Sequence, residues 1–111
     1  VLLVARDADG ICGTVQLVLP TLENQPHRAD LSKMLVHRRG RRRGLGTALL
    51  AAIEQVARES GRTLLVLDTN TGSDAERLYA RLGWQRVGEI PDYSIRPRGG
   101  LRATTVFYKR L

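Results

Sequence analysis

An α/β fold is predicted by three features of this 111-residue sequence. Its apolar patterns run in the order β-β-β-α-β-α-β-β, one segment is strongly amphipathic at helical spacing, and a capping sequence opens a second helix. The first strands come from an apolar run at residues 1–5 and a looser alternation at 12–19. Asp7-Ala8-Asp9-Gly10 lies between them, so they read as a hairpin with an Asp-Gly turn. Pro20 and Pro26 bracket a polar loop. Residues 29–36 alternate as a strand, with Leu31, Lys33 and Leu35 on one face and Asp30, Ser32, Met34 and Val36 on the other.

Residues 37–46 form a basic loop punctuated by glycine. The helix pattern follows over 45–60, where Leu45, Ala48, Leu49, Ala52, Ile53, Val56 and Ala57 make one apolar stripe and Gly61 marks the end. Residues 63–68 (TLLVLD) read as a short buried strand. Ser73-Asp74-Ala75-Glu76 is a capping box that starts the second helix. Ala75, Leu78, Tyr79 and Leu82 line its inner face, and Gly83 closes it. Residues 84–89 make a strand, 91–100 a Pro/Gly/Arg loop, and 103–111 the last strand. No linker or repeat interrupts the series, so residues 1–111 are expected to be one domain.

Composition excludes several classes. With 42% hydrophobic and 26% charged residues the chain is not a disordered sequence. A single cysteine, Cys12, rules out a disulfide framework and a cysteine-rich zinc site, so no metal is expected, and it suits a reducing, cytoplasmic setting. No apolar run approaches the roughly 20 residues of a membrane span. The net charge of +7 invites a nucleic-acid reading. However, Arg38, Arg39, Arg41, Arg42 and Arg43 fall within six positions, and without these five, 13 basic residues face 11 acidic ones. Aromatics are only 5% of the chain, no stacking platform accompanies the basic run, and no helix-turn-helix or zinc-finger spacing appears. The excess charge fits a nucleotide-bearing small molecule better than a polymer.

The run Arg41-Arg42-Arg43-Gly44-Leu45-Gly46-Thr47 sits between a strand and the strong helix. The first amides of a helix have no internal acceptor and carry partial positive charge. Glycines let a phosphate approach those donors, and arginines add charge-assisted contacts. The spacing lacks the Lys-Ser/Thr ending of a Walker loop and the third glycine of a Rossmann fingerprint. It reads as a pyrophosphate cradle of another kind.

Arg41-x-x-Gly44-x-Gly46, after a strand and opening a helix, resembles the acetyl-coenzyme-A signature of the GCN5-related N-acetyltransferases (GNAT). Ala75-Glu-Arg-Leu-Tyr79-Ala-Arg-Leu-Gly83-Trp84 is similar to that family's second hallmark, and the two motifs stand in the expected order. Segments around Leu67-Asp68-Thr69, Gly72-Ser73 and Arg86-Val87-Gly88-Glu89-Ile90-Pro91 look closest to the branch containing tabtoxin-resistance acetyltransferases.

The resemblance implies a mixed central β-sheet with flanking helices, in which two parallel strands, here 29–36 and 63–68, splay to admit the pantetheine arm. Backbone groups of Met34, Leu35 and Val36 would bond its amides. Amides from Arg42, Arg43, Gly44, Leu45, Gly46 and Thr47 would hold the pyrophosphate, with Arg41 opening the loop. Tyr79 stands where the family places a phenol against the coenzyme sulfur, suited to meet the departing thiolate. Asp30 and Asp68, at the ends of the two strands, are the candidates for taking the amine proton or anchoring the amine. Ser73 follows Gly72, which stands in place of a common asparagine, and Ser73 can take over that coenzyme contact.

The activity so implied is acetyl transfer from acetyl-CoA to a primary amine by direct attack in a ternary complex. A small molecule such as an antibiotic or toxin is the expected acceptor. The family fold begins with a strand and two helices ahead of the first hairpin, so an N-terminally truncated chain, or a homodimer covering the uncovered sheet, is expected. A coenzyme-binding domain without turnover is the alternative, with a nucleic-acid module behind it.

Overall fold

The computed structural model describes the backbone of residues 1–111 and every side chain except those of Arg42 and Arg43. The order is β1 (Leu2–Asp7), β2 (Gly10–Val18), β3 (Arg28–Val36), a 3-10 turn (Arg38–Arg43), α1 (Leu45–Glu59), β4 (Leu64–Asn70), α2 (Asp74–Arg81), β5 (Gln85–Ile95) and β6 (Leu101–Arg110). This is the mixed α/β fold of six strands and two α-helices that the sequence predicts. The chain divides into two compact units, Val1–Leu65 with Arg110–Leu111, and Val66–Lys109.

In the first unit β1, β2 and β3 form an antiparallel ladder. The β1–β2 turn is as short as its sequence implies: Asp7 pairs with Gly10, and the Asp9 amide donates to Asp7 Oδ1 at 2.9 Å. Cys12, Val15, Leu17, Ala29 and Leu31 are buried on the ladder, with Leu49, Leu50, Ile53 and Ala57 of α1. α1 packs on all three strands. Gly13 permits this approach, since a Cβ there would lie 2.9 Å from Leu49 Cδ1. The buried face of α1 is rotated from the expected stripe: Leu50 and Glu54 are buried while Ala48 and Ala52 are exposed. Several faces of this helix are apolar enough on paper, and the bulky Leu50 decides among them. Glu54 keeps its charge compensated by Arg58 at 3.9 Å.

β3 also departs from simple alternation. Ser32 pairs with Gln16 and Leu35 with Thr14, so Lys33 and Met34 together oppose Val15. This is a β-bulge, with Lys33 at φ +54° and its carbonyl accepting from Thr14 Oγ1 at 2.7 Å. The extra residue flips the side-chain parity. Leu31 is 5% exposed, whereas Leu35, expected on the same face, is 66% exposed.

In the second unit β6 lies between the body of β4 and β5, and β5 pairs antiparallel with β6. Its core is Leu67, Tyr79, Trp84 and Phe107, joined by two buried threonines, Thr104 and Thr105. Residues 91–100, expected as a loop, instead extend β5 to Ile95 before a tight turn in which the Gly99 amide donates to Arg96 O at 2.9 Å. A register shift between Ile90 and Ser94, with Asp92 at φ +55°, takes Pro91 out of the ladder. Proline is tolerated at such a bulge because it has no amide to donate.

Leu31→Ala should cost about 2–5 kcal/mol in denaturant unfolding, the usual range for a buried leucine. Leu35→Ala should stay within about 0.5 kcal/mol. Equal losses at the two positions would contradict the bulge.

Candidate functional site

The two α-helices begin in opposite ways. At α2, Ser73 is the N-cap and its Oγ accepts from the Glu76 amide at 3.2 Å. Glu76 Oε2 accepts from the Gly72 amide at 2.7 Å and from Thr105 Oγ1 at 3.2 Å. The capping box therefore closes one residue earlier than expected, on Gly72 instead of Ser73. Thr69 Oγ1 lies 3.4 Å from Ser73 Oγ, so the serine proposed as a coenzyme contact serves here as the cap. Asp74 and Glu76 add negative charge to this turn.

α1 starts at Gly44, which has φ +70° and offers no side-chain cap, and its first turn holds no acidic residue. The left-handed backbone suits glycine, and nothing lies within 4 Å of where a Cβ would stand. The amides of Leu45, Gly46 and Thr47 stand at this positively polarised helix end, preceded by a basic 3-10 turn. His37 caps that turn, its Nδ1 accepting from the Arg39 amide at 3.2 Å.

The arginines of the turn do not act alike. Arg39 turns back to the ladder: its Nε donates to Asp7 Oδ2 at 2.8 Å and its Nη2 to Ile11 O at 3.1 Å. The bond to Asp7 holds its guanidinium more firmly charged than usual. Arg39 thus leaves the basic cluster that the sequence suggests. Arg41 Nε donates to Val36 O at 3.1 Å, tying the turn to the end of β3. Met34, Leu35 and Val36 follow the Lys33 bulge directly. The side chains of Arg42 and Arg43 lie outside the described residues.

The second unit carries the phenol and one of the two carboxylates. Tyr79 is 3% exposed, its ring set edge-on to Trp84 at 5.6 Å and tilted against Phe107 at 5.8 Å. Trp84 and Phe107 thus flank the ring. Burial pushes its pKa up to about 12, so the neutral phenol persists throughout the physiological range. Asp68 is exposed near the end of β4, and its Oδ2 accepts from Thr104 Oγ1 at 2.8 Å. Among the described residues nothing donates to its Oδ1. Asp30, in the first unit, stands 3.6 Å from Arg28 and pairs in register with Val18. Among the described residues no group of three His, Cys, Asp or Glu is placed to hold a metal, and no helix is long and apolar enough to cross a membrane.

Residues 1–86 match the family model described as the acetyltransferase (GNAT) domain. The chain belongs to this family. Human N-acetyltransferase 8 is 32% identical over 81 residues, covering 72% of this chain and 35% of that protein. An acetyltransferase of the GNAT family from Streptococcus pneumoniae superimposes with a TM-score of 0.88 at 24% identity, over 99% of this chain and 66% of the other. A Salmonella typhimurium protein described as an acetyltransferase, solved with its cofactor acetyl-CoA, gives a TM-score of 0.85 at 21% identity, over 99% and 64%. The chain thus spans about a third of the human relative and just under two thirds of these solved ones. The GNAT model ends ahead of β6, so the threonines of that strand lie beyond the matched residues.

Because the fold favours the neutral phenol of Tyr79, the stability it contributes is fully present below its ordinary pKa of 10.0 and is lost as pH rises through about 12. In alkaline denaturation, Tyr79→Phe should lose less stability over that window than the parent chain. Parallel curves would show that the ring is not held neutral.

Proposed function

We propose that this GNAT chain transfers the acetyl group of acetyl-CoA to a primary amine by direct attack in a ternary complex. The observation that carries the reading is the uncapped, acid-free start of α1 behind a basic turn, in a chain whose relative was solved with acetyl-CoA. The amides of Gly44, Leu45, Gly46 and Thr47, with those of Arg42 and Arg43, bind the pyrophosphate, and Arg41 contributes at the loop's opening. Met34, Leu35 and Val36 offer backbone groups to the pantetheine arm.

The second unit supplies the chemistry. The amine nitrogen attacks the thioester carbon, the C–N bond forms and the C–S bond breaks. As the C–N bond forms, the nitrogen becomes acidic and its proton passes to Asp68, directly or through one water. Asp68 suits this better than Asp30: one of its oxygens is held and the other is open, whereas Asp30 already faces Arg28. Asp30 is the better candidate for anchoring the amine.

Tyr79 donates a hydrogen bond to the departing thiolate. With a pKa of about 12 against roughly 8.5 for an ordinary thiol, full proton transfer from the phenol is uphill. Stabilising the anion by donation is the role its burial favours, and solvent completes the thiol. The acceptor we favour is a small amine of antibiotic or toxin type, in keeping with the tabtoxin-resistance resemblance.

Calorimetric titration with acetyl-CoA should give sub-millimolar binding, and a DNA duplex should give none. Absence of acetyl-CoA binding would overturn the reading. Thiol release should then be followed with glycinamide, lysine, putrescine and kanamycin as acceptors. Binding without release from any of these would favour a coenzyme-binding domain that lacks turnover. Tyr79→Phe should lower kcat by about a hundredfold, a loss typical of removing one donor to a developing anion, with acetyl-CoA affinity nearly unchanged. An unchanged kcat would remove Tyr79 from the chemistry.

A further inference from the structure

We infer that Thr104 is a positioning residue for acetyl transfer, fixing the Asp68 carboxylate so that one defined oxygen receives the amine proton. The inference rests on the reading of Asp68 as proton acceptor and assigns a role to a residue outside both sequence motifs. Thr104 is 2% exposed, in a strand flanked on both sides, so its hydroxyl cannot be satisfied by bulk water. It has two acceptors, Asp68 Oδ2 at 2.8 Å and the Thr69 carbonyl at 3.0 Å.

A hydroxyl has one proton to give. While Asp68 is ionised, that proton belongs on the carboxylate, because a bond to a charged acceptor is the stronger one. Oδ2 is then engaged from the protein side, and Oδ1 remains as the oxygen with no protein donor among the described residues. In the proposed step a nitrogen–hydrogen bond breaks and the proton ends on Oδ1. Oδ2 thereby becomes a weaker, carbonyl-like acceptor, and the Thr104 proton can turn to the Thr69 carbonyl without leaving its oxygen. The hydroxyl is never orphaned, so the carboxyl can cycle between its two states without moving the buried strand.

A bare carboxylate at the exposed end of a strand would rotate among several orientations. Holding it in one is the kind of restriction that raises kcat without changing how tightly the coenzyme binds. Thr104→Val keeps the shape and removes the hydroxyl, whereas Thr104→Ser keeps the hydroxyl and removes a methyl.

The test measures steady-state rates with acetyl-CoA and whichever of the four amines above is turned over fastest. Thr104→Val should lower kcat by about tenfold with the KM for acetyl-CoA unchanged, and Thr104→Ser should recover most of it. In an Asp68→Asn background, Thr104→Val should add little. A loss that persists undiminished in that background, or no loss at all while Asp68→Asn is slow, would overturn the role of Thr104 alone. If Asp68→Asn keeps full kcat, the reading of Asp68 itself falls.

A second measurement needs neither turnover nor an acceptor. The Thr104 hydroxyl proton should give a slowly exchanging NMR resonance in the parent chain, and Asp68→Ala should shift it or speed its exchange. A hydroxyl proton indifferent to Asp68 would overturn the inference even if every variant folds.

Discussion

Every α-helix starts with amides that its own backbone cannot satisfy, and this chain resolves that constraint differently at its two helices. At α2 the amides are closed off by Ser73 and Glu76, with Asp74 and Glu76 adding charge that favours the helix end. At α1 the cap is Gly44, which has no side chain to give, and no carboxylate stands in the first turn. A helix end left in this state is stabilised by an external anion. The rest of the first unit supports that end: Gly13 lets the helix lie close on the ladder, and Arg39 anchors the basic turn to Asp7.

The second unit serves a different requirement, which is to hold polar groups of defined protonation in a packed interior. Tyr79 is kept neutral by the aromatic ring cluster around it. Thr104 and Thr105 sit side by side in β6, yet face different partners, one reaching Asp68 and the other reaching Thr71 and Glu76. One strand therefore links the carboxylate to the fold through one threonine and the α2 cap through the next. Buried hydroxyls with complete partners are stable, and each is costly to disturb.

The element order, both helices, the first hairpin turn and the glycine at the start of α1 are legible in the sequence, because each rests on local signals: Asp-Gly, Ser-x-x-Glu, Gly-x-Gly and helical periodicity. What was not legible depends on tertiary choice. The parity of β3 flips at Lys33, a residue whose left-handed backbone nothing in its side chain announces. The buried face of α1 is decided among interchangeable alanines by the fit of Leu50. Arg39 looked like its neighbours in the basic run, and only the ladder reveals that Asp7 claims it. Thr104 carries no sequence signal at all, since its value lies in which of many acceptors it meets.

The most direct test of the central claim is an amide NMR titration of the labelled chain with acetyl-CoA. The resonances of Leu45, Gly46 and Thr47 should shift strongly and saturably, and those of Asp74 to Arg77 far less, because the proposed anion site is the uncapped start of α1, whereas Ser73 and Glu76 cap α2. Shifts concentrated at the start of α2, or none at the start of α1, would contradict the account.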